Sequence, residues 1–375
     1  YCKKCLTTDL RPNAQFDEDC VCIACKYSDS SFNYSPEVNV NRLKYKIKQV
    51  LEDREIKSYD CIVGVSGGKD STRQALWVRE RLGMNPLLVC CGYPPLQMTE
   101  VGAENLSNLI ELDFDLVFVG PAPDTARKLS KKSFFEYGNV CKASEIALFS
   151  TVPTIAIDFK IPLIFWGENP ALQVGDSAVL GVDEFDGNSL RNLNTLVEGG
   201  LDWLLEGLEN EPQKLFYQYP SIEEFEHAGV QILYLGPAWD NWSLDVNSYH
   251  AATQGLVLRP EETQDTGDIL GSSMLDEEFT NINMMLKYYK FGFGRTTDLA
   301  NELIRSKKLT REDAIELVVK FDGVCSDDII KRYCEYIDIE VIAFWKEVAK
   351  ITNKNLFEII PDCRPKAKFS VGEGL

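Results

Sequence analysis

Short, nearly continuous apolar runs alternate with helical patterns through the middle of the chain. Cys61 to Val65, Pro86 to Cys91, Phe114 to Val119, Pro162 to Trp166 and Val230 to Leu235 each read as a strand buried on both faces. Strands of that kind separated by helices predict a parallel sheet in an α/β domain. Ahead of them, Leu43, Ile47, Val50 and Leu51 recur at helical spacing within Arg42 to Lys57, with Lys and Arg on the other face, which predicts an amphipathic helix. The Ser- and Asn-rich stretch Ser28 to Asn41 before it reads as a linker. Ala171 to Gly200 turns to Gly, Asp and Asn; it is too long for a tight connection and is expected to be a lid or binding loop. After about residue 275 no strand pattern stands out. Asn281 to Phe291, Asp298 to Ser306, Arg311 to Phe321, Asp327 to Tyr336 and Glu340 to Ile351 are expected as helices, with Thr310 and Asp313 forming a cap-like start to the third. The pattern divides the chain into a Cys-rich head (1–35), an α/β domain (36–275) and a helical C-terminal region (276–375).

Composition narrows the function classes. At 375 residues the chain has room for two domains and an appendix. Lys and Arg number 39 against 58 Asp and Glu, a formal charge of −19, which opposes wide contact with nucleic acid or an anionic membrane. No apolar run is long enough to span a bilayer, and the first residues carry Cys and Lys rather than an apolar secretion signal, so a soluble, cytoplasmic protein is expected. Only His227 and His250 are available, which excludes a mechanism built on several histidines.

Four constellations carry chemistry. The first is Ser66-Gly67-Gly68-Lys69-Asp70-Ser71, set between a predicted strand and the helical segment Thr72 to Arg81. Glycines there let backbone N–H groups approach an anion, and the helix N-terminus adds partial positive charge, so the segment reads as a phosphate cradle. It is neither the longer loop of the common NTPases nor the dinucleotide fingerprint. The second is Cys2-x-x-Cys5 with Cys22-x-x-Cys25, two paired spacings that supply four thiolates for a tetrahedral Zn²⁺ and leave Cys20 spare. An iron–sulfur cluster suits this tight pairing less well. The third is Trp166-Gly167-Glu168-Asn169-Pro170, just past a predicted strand, where parallel sheets bind their ligands. The fourth is Lys290-Phe291-Gly292-Phe293-Gly294-Arg295-Thr296-Thr297-Asp298, where Arg295 could meet a carboxylate or phosphate and a capped helix start is the plain alternative. The basic run Arg127 to Lys132 reads as a solvated helix face.

The SGGKDS form resembles the pyrophosphate loop (PP-loop) of the ATP pyrophosphatase superfamily, whose members cleave ATP between the α and β phosphates. With YCKKCLTTDLRPNAQFDEDCVCIAC at the head, EIALFSTVPTIAIDFKIPLIFWGENPAL in the middle and KFGFGRTTDLANELIRSKKLTREDAIELVVKFDG near the end, the chain resembles along nearly its whole length the N-acetyl sugar amidotransferases of the WbpG and PseA type, from surface-polysaccharide and flagellin glycan synthesis. The resemblance implies a zinc-ribbon head, an adenine-nucleotide α-hydrolase-like core and conversion of a sugar acetamido group to an acetamidino group. Two departures stand out: Cys20 occupies an expected Gly, and Ser144 takes the place of a second Cys near Cys141.

An amide resists amines because oxide would have to leave, so adenylation of its oxygen is the expected first step. The acetamido oxygen attacks the α-phosphorus of ATP, pyrophosphate departs into the Ser66 to Ser71 cradle with Mg²⁺ sharing the charge, and ammonia displaces AMP. Asp70 is expected to organise Mg²⁺ or the loop, Glu168 to take a proton, Asn169 to orient the amide, and Arg295 to pair with a sugar carboxylate or phosphate. No glutaminase signature is present: Cys2 lies in the zinc pattern and no nucleophile elbow with a partner His occurs. Ammonia is therefore expected from a separate subunit, and the resemblance points to a HisH-like glutaminase with a HisF-like partner. The competing class is a tRNA thiolase, opposed by the charge and by the apparent isolation of Cys141. A regulatory nucleotide-binding module is a third reading, weakened by the blocks around Glu168 and Arg295.

Overall fold

The computed structural model describes residues 1–31, 36–52, 54, 58–167, 169, 170, 175–197, 202–206, 208, 214–239 and 242–373. Five parallel strands form its centre: β1 (Cys61–Gly64), β2 (Pro86–Cys91), β3 (Leu116–Val119), β4 (Leu163–Trp166) and β5 (Gln231–Tyr234), in the order β3-β2-β1-β4-β5. Helices α3 (Lys69–Leu82), α4 (Glu100–Glu111), α5 (Pro123–Tyr137) and α6 (Lys142–Phe159) connect them. Strand periodicity of two explains why the runs are apolar throughout. Cys61, Val63, Leu88, Cys90 and Phe165 pack on one face with Ala75, Leu76 and Val78 of α3, whereas Ile62, Leu87, Val89 and Ile164 pack on the other with Val152, Ile155 and Ala156 of α6. Each Val, Leu, Ile or Phe side chain among them, fully buried, contributes about 1.5–3 kcal/mol.

The amphipathic helix predicted from Arg42 begins earlier, as α2 (Pro36–Leu51), with Val40, Leu43, Ile47 and Val50 buried against the sheet. Pro36 at its start and Glu37 in its first turn suit a helix N-terminus. The stretch expected to be a linker is therefore largely helical: α1 (Ile23–Ser31) precedes α2, and residues 32–35 lie outside the described set. Ser and Asn misled because tertiary packing, not propensity, fixes both helices.

The segment expected to be a lid also differs. Its described part, 175–197, runs as short helical turns along β5, where Gly187 N–H donates to Ile232 O at 2.9 Å and Tyr234 N–H donates to Phe185 O at 2.8 Å. It covers the open edge of the sheet.

Past residue 275 come α9 (Thr280–Phe291), α10 (Arg295–Arg305), α11 (Arg311–Phe321), α12 (Asp327–Ile337) and α13 (Val341–Ile351), preceded by α7 (Ile222–Ala228) and α8 (Leu244–Thr253). Their core of Phe279, Ile282, Leu286, Ile330, Tyr333, Ile337 and Phe344 takes in Phe134 and Val140 from the α5 region, so the helical part is packed onto the sheet domain. One short antiparallel pair, β6 (Phe357–Ile359) and β7 (Pro365–Ala367), was not expected; three-residue strands are too short to show alternation. No helix among the described residues is long and apolar enough to cross a membrane.

Candidate functional site

The strand order reverses between β1 and β4, and in such sheets the crevice beyond the strands' carboxyl ends is where ligands bind. The turn Ser66 to Ser71 leaves β1 at that point. Gly67 has φ +78°, and a Cβ there would stand 3.0 Å from Leu106 N, so only glycine lets the turn press on α4. Gly68 caps α3 with extended backbone and without a side-chain hydrogen bond, so the first amides of the helix keep their donors for an anion. Ser71 Oγ accepts from Ser66 N at 3.4 Å and donates to Gly68 O at 3.2 Å, closing the turn. Asp70 is held by Lys69 Nζ at 2.7 Å and by Asn247 Nδ2 of α8 at 2.6 Å. Its shown role is to tie the turn to α8.

This turn opens into a cavity of about 520 Å³, a size suited to a small-molecule site. Ser66, Gly68, Lys69, Asp70 and Ser71 line one side; Cys141, Ser144 and Glu145 of the α6 start, Leu275 and Asp276, and Asp298 and Glu302 of α10 line the other. Burial pushes the Asp276 carboxyl up to about 6, with Arg259, Lys69 and a hydrogen bond from Tyr93 pulling the other way. Burial also raises Glu145, eased by Thr195 Oγ1, which donates to it at 3.0 Å. Glu277, next to Asp276, is pushed up to about 7 by burial although Gln97 Nε2 and Phe279 N donate to it at 2.8 and 2.7 Å. Asp298 is shifted the other way overall: burial raises it, but ion pairs with Arg11 and Lys287 hold it below the usual range.

The four head cysteines converge as the spacing predicts. Their sulfurs lie within 4.8 Å of one another, with Cys2 to Cys25 at 4.0 Å and Cys5 to Cys22 at 3.8 Å. A tetrahedron with Zn–S bonds of about 2.3 Å has edges of about 3.8 Å, so the set fits zinc. Amides of Lys4 and Cys22 donate to Cys2 Sγ and that of Thr7 to Cys5 Sγ, as thiolates require. Cys20 is exposed and outside the group. The head docks on α10 and α11: Leu6 N donates to Asn301 Oδ1 at 2.6 Å, and Arg311 Nε to Cys5 O at 3.3 Å. Thr7 and Arg11 thereby reach the cavity wall.

The other expected residues fall in different places. Glu168 lies outside the described residues. Asn169 is buried and donates to Glu184 O at 3.0 Å, bracing the segment beside β5; Gly167, not Asn169, faces the cavity. Arg295 is buried behind Met274, donating to Asn281 Oδ1 at 2.7 Å and Thr266 O at 3.3 Å, and is not among the cavity-lining residues. Gly294 explains why: its backbone meets Asp322, which accepts from Gly294 N at 2.7 Å and so turns α10 inward. The basic run is a paired helix face, with Arg127 and Lys128 both on Asp124.

Cys141 is not isolated, since β2 brings Cys91 to the same wall. Both thiols are pushed up by burial, Cys91 to about 11. Asp276, Glu145 and Tyr93 were missed from the sequence. Asp276 and Glu277 carry only the signature of an acidic helix start, which many surface helices share.

No curated protein matches the chain. Residues 275–364 match the family model described as LPS biosynthesis protein WbpG-like, C-terminal domain. This is the region that closes the cavity with Leu275, Asp276, Thr280, Asp298 and Glu302. Over that stretch the chain is similar to the C-terminal domain of WbpG-like proteins of lipopolysaccharide biosynthesis.

Proposed function

We propose that the protein is an ATP-dependent, AMP-forming amidotransferase that converts the acetamido group of an N-acetylated, nucleotide-activated sugar to an acetamidino group. The observation that carries this reading is the uncapped glycine turn at the sheet's switch point, opening into a cavity that the WbpG-like domain closes. In this reading the core is a PP-loop nucleotide domain. The acetamido oxygen attacks the α-phosphorus of ATP, and pyrophosphate leaves against the first amides of α3 and Lys69. Asp70, the carboxylate in the turn, would hold Mg²⁺, which supplies charge neutralisation when bound. Cys2, Cys5, Cys22 and Cys25 hold a structural Zn²⁺ that keeps Thr7 and Arg11 on the cavity wall.

Ammonia then displaces AMP. The chain's carboxylates at the cavity take the proton it sheds, with Asp276 in first place because its raised pKa suits exchange near neutrality. Glu168 keeps its candidacy by following the cavity residue Gly167 in the chain, while Asn169 and Arg295 become positioning residues. The ammonia comes from a HisH-like glutaminase with a HisF-like partner. The thiolase reading gains Cys91 beside Cys141, but sulfur transfer needs a thiolate and both thiols are held protonated.

The test incubates the protein with ATP, Mg²⁺, ammonium chloride and a panel of UDP- and CMP-linked diacetamido sugars. AMP and pyrophosphate should form in equal amounts with a sugar in which one oxygen is replaced by NH. ADP as the sole nucleotide product refutes the proposal.

A further inference from the structure

Beside the main cavity lies a second chamber of about 20 Å³, between the ends of β2 and β3 and helices α5 and α6. One water molecule needs roughly 10–15 Å³ of such space, so the chamber takes a molecule of water or ammonia size and little more. Cys91, Tyr93 and Ser144 line both spaces, which makes them neighbours across a shared wall. Gly92, Pro94, Pro121, Ala126, Ala143 and Ala147 keep most of the remaining wall small and apolar, and no charged residue lines it among those described. Outward, Pro94 leads to Leu96, 76% exposed, and Pro121 to the exposed Ala122 and Pro123. The chamber thus shares a wall with the main cavity, and Pro94 and Pro121 of its lining are followed in the chain by exposed residues.

We propose that this chamber is the port through which neutral ammonia enters the adenylation site, an inference that rests on the amidotransferase reading. An uncharged, narrow wall excludes ammonium, whose charge would have no partner there, and admits the neutral base. Ser144 Oγ donates to Cys141 O at 2.9 Å, which leaves its lone pairs to accept an ammonia N–H at the shared wall. Beyond that wall the nitrogen lone pair forms the new C–N bond to the adenylated acetamido carbon. The C–O bond breaks with its electron pair going to AMP, and one ammonia proton passes to a carboxylate. The product carbon is left as an amidinium. Tyr93, common to both spaces, hydrogen-bonds Asp276, which places a proton acceptor at the inner end of the port.

Two variants narrow the chamber in the full chain: Ala126→Leu, at a half-buried position on α5, and Ala147→Val, buried on α6. The assay uses ammonium chloride as the nitrogen source and whichever sugar of the panel supports AMP formation. Each variant should raise the KM for ammonia by about tenfold or more, with the KM for ATP and the rate of sugar-dependent ATP–pyrophosphate exchange, measured without ammonia, within about twofold of wild type. Ala126→Ser, which leaves the space open, should keep the wild-type KM. Should Ala147→Val melt early, Ala126→Leu decides alone. An unchanged ammonia KM in a variant that melts like wild type overturns the port while the amidotransferase reading stands. Absence of sugar-dependent exchange in the wild type overturns that reading, and the port with it.

Discussion

On the sheet side of the cavity, Ser66, Gly68 and Lys69 offer a ligand mainly backbone amides and one cation, whereas on the helical side Asp276, Asp298 and Glu302 offer carboxylates. The first surface is made by a local turn. Its donors are covalently fixed where the chain leaves β1, and Gly67 lets them sit against α4. The second is assembled from residues far apart in sequence, and burial has altered the chemistry of its groups, pushing Asp276 up to about 6. One wall is thus suited to holding negative charge and the other to exchanging protons. An AMP-forming amidation needs both, in that order.

The comparison breaks first at the turn. Asp70→Asn removes the negative charge that faces Lys69 while leaving an acceptor for Asn247, so α8 should stay docked and the protein should melt normally. AMP formation should fall at least a hundredfold, about 2.7 kcal/mol of lost transition-state stabilisation. Wild-type turnover in that variant would mean the turn does not work as a nucleotide site.

The helical wall should respond differently. Asp276→Asn is expected to slow amidine formation by about ten- to a hundredfold while sugar-dependent ATP–pyrophosphate exchange continues, because its part comes after adenylation. Equal loss of exchange and product would place Asp276 with the phosphate-binding wall and erase the division of labour.

Between the two stands the head, which among the described residues touches the cavity through Thr7 and Arg11. Cys22→Ser should release the zinc, measurable by elemental analysis, and lower the melting temperature as the head detaches from α10. ATP binding should persist, since no head residue belongs to the turn. Full zinc content in that variant would refute the four-thiolate site.

How much of this could be read in advance follows from the same contrast. The five strands are legible because both sheet faces are covered, which leaves continuous apolar runs at Cys61, Pro86 and Pro162. The turn and the four cysteines are legible because their chemistry is carried by neighbours in sequence. Asp276 is not, since its raised pKa comes from burial, against the pull of Arg259, Lys69 and Tyr93, and only the fold creates that environment. Arg295 was assigned to the cavity from its Gly-flanked setting, yet that setting serves the capping contact with Asp322 and sends the guanidinium inward. The helices at Ile23 and Pro36 hid behind a Ser- and Asn-rich composition, and the pair Phe357 with Ala367 is too short to declare itself.

The smallest expected effect is on stability, and it isolates the helical side. Glu277, 1% exposed, is pushed up to about 7 by burial, and Asp276 and Asp322 to about 6 by the same cause. Unfolded carboxyls titrate near 4, so between the two values the folded protein holds protons that the unfolded chain has released. For a group raised in this way, stability is fully present below the unfolded pKa and is lost as pH rises through the folded one. Acidifying from pH 8 to pH 6 should therefore stabilise the protein, by on the order of 1–2 kcal/mol, or about 2–4 °C in melting temperature. The depressed carboxylates Asp298, Asp183 and Asp245 act with the opposite sign, but only as pH falls through their lowered values, below this window. Glu277→Gln lowers the melting temperature at every pH, because an amide cannot accept from all the donors around Gln97, Phe279 and Thr280. The informative quantity is the slope. It should lose its largest part in Glu277→Gln. A flat or falling melting temperature from pH 8 to pH 6 in the wild type, or an unaltered slope in Glu277→Gln, would show that burial on the helical side does not hold these protons.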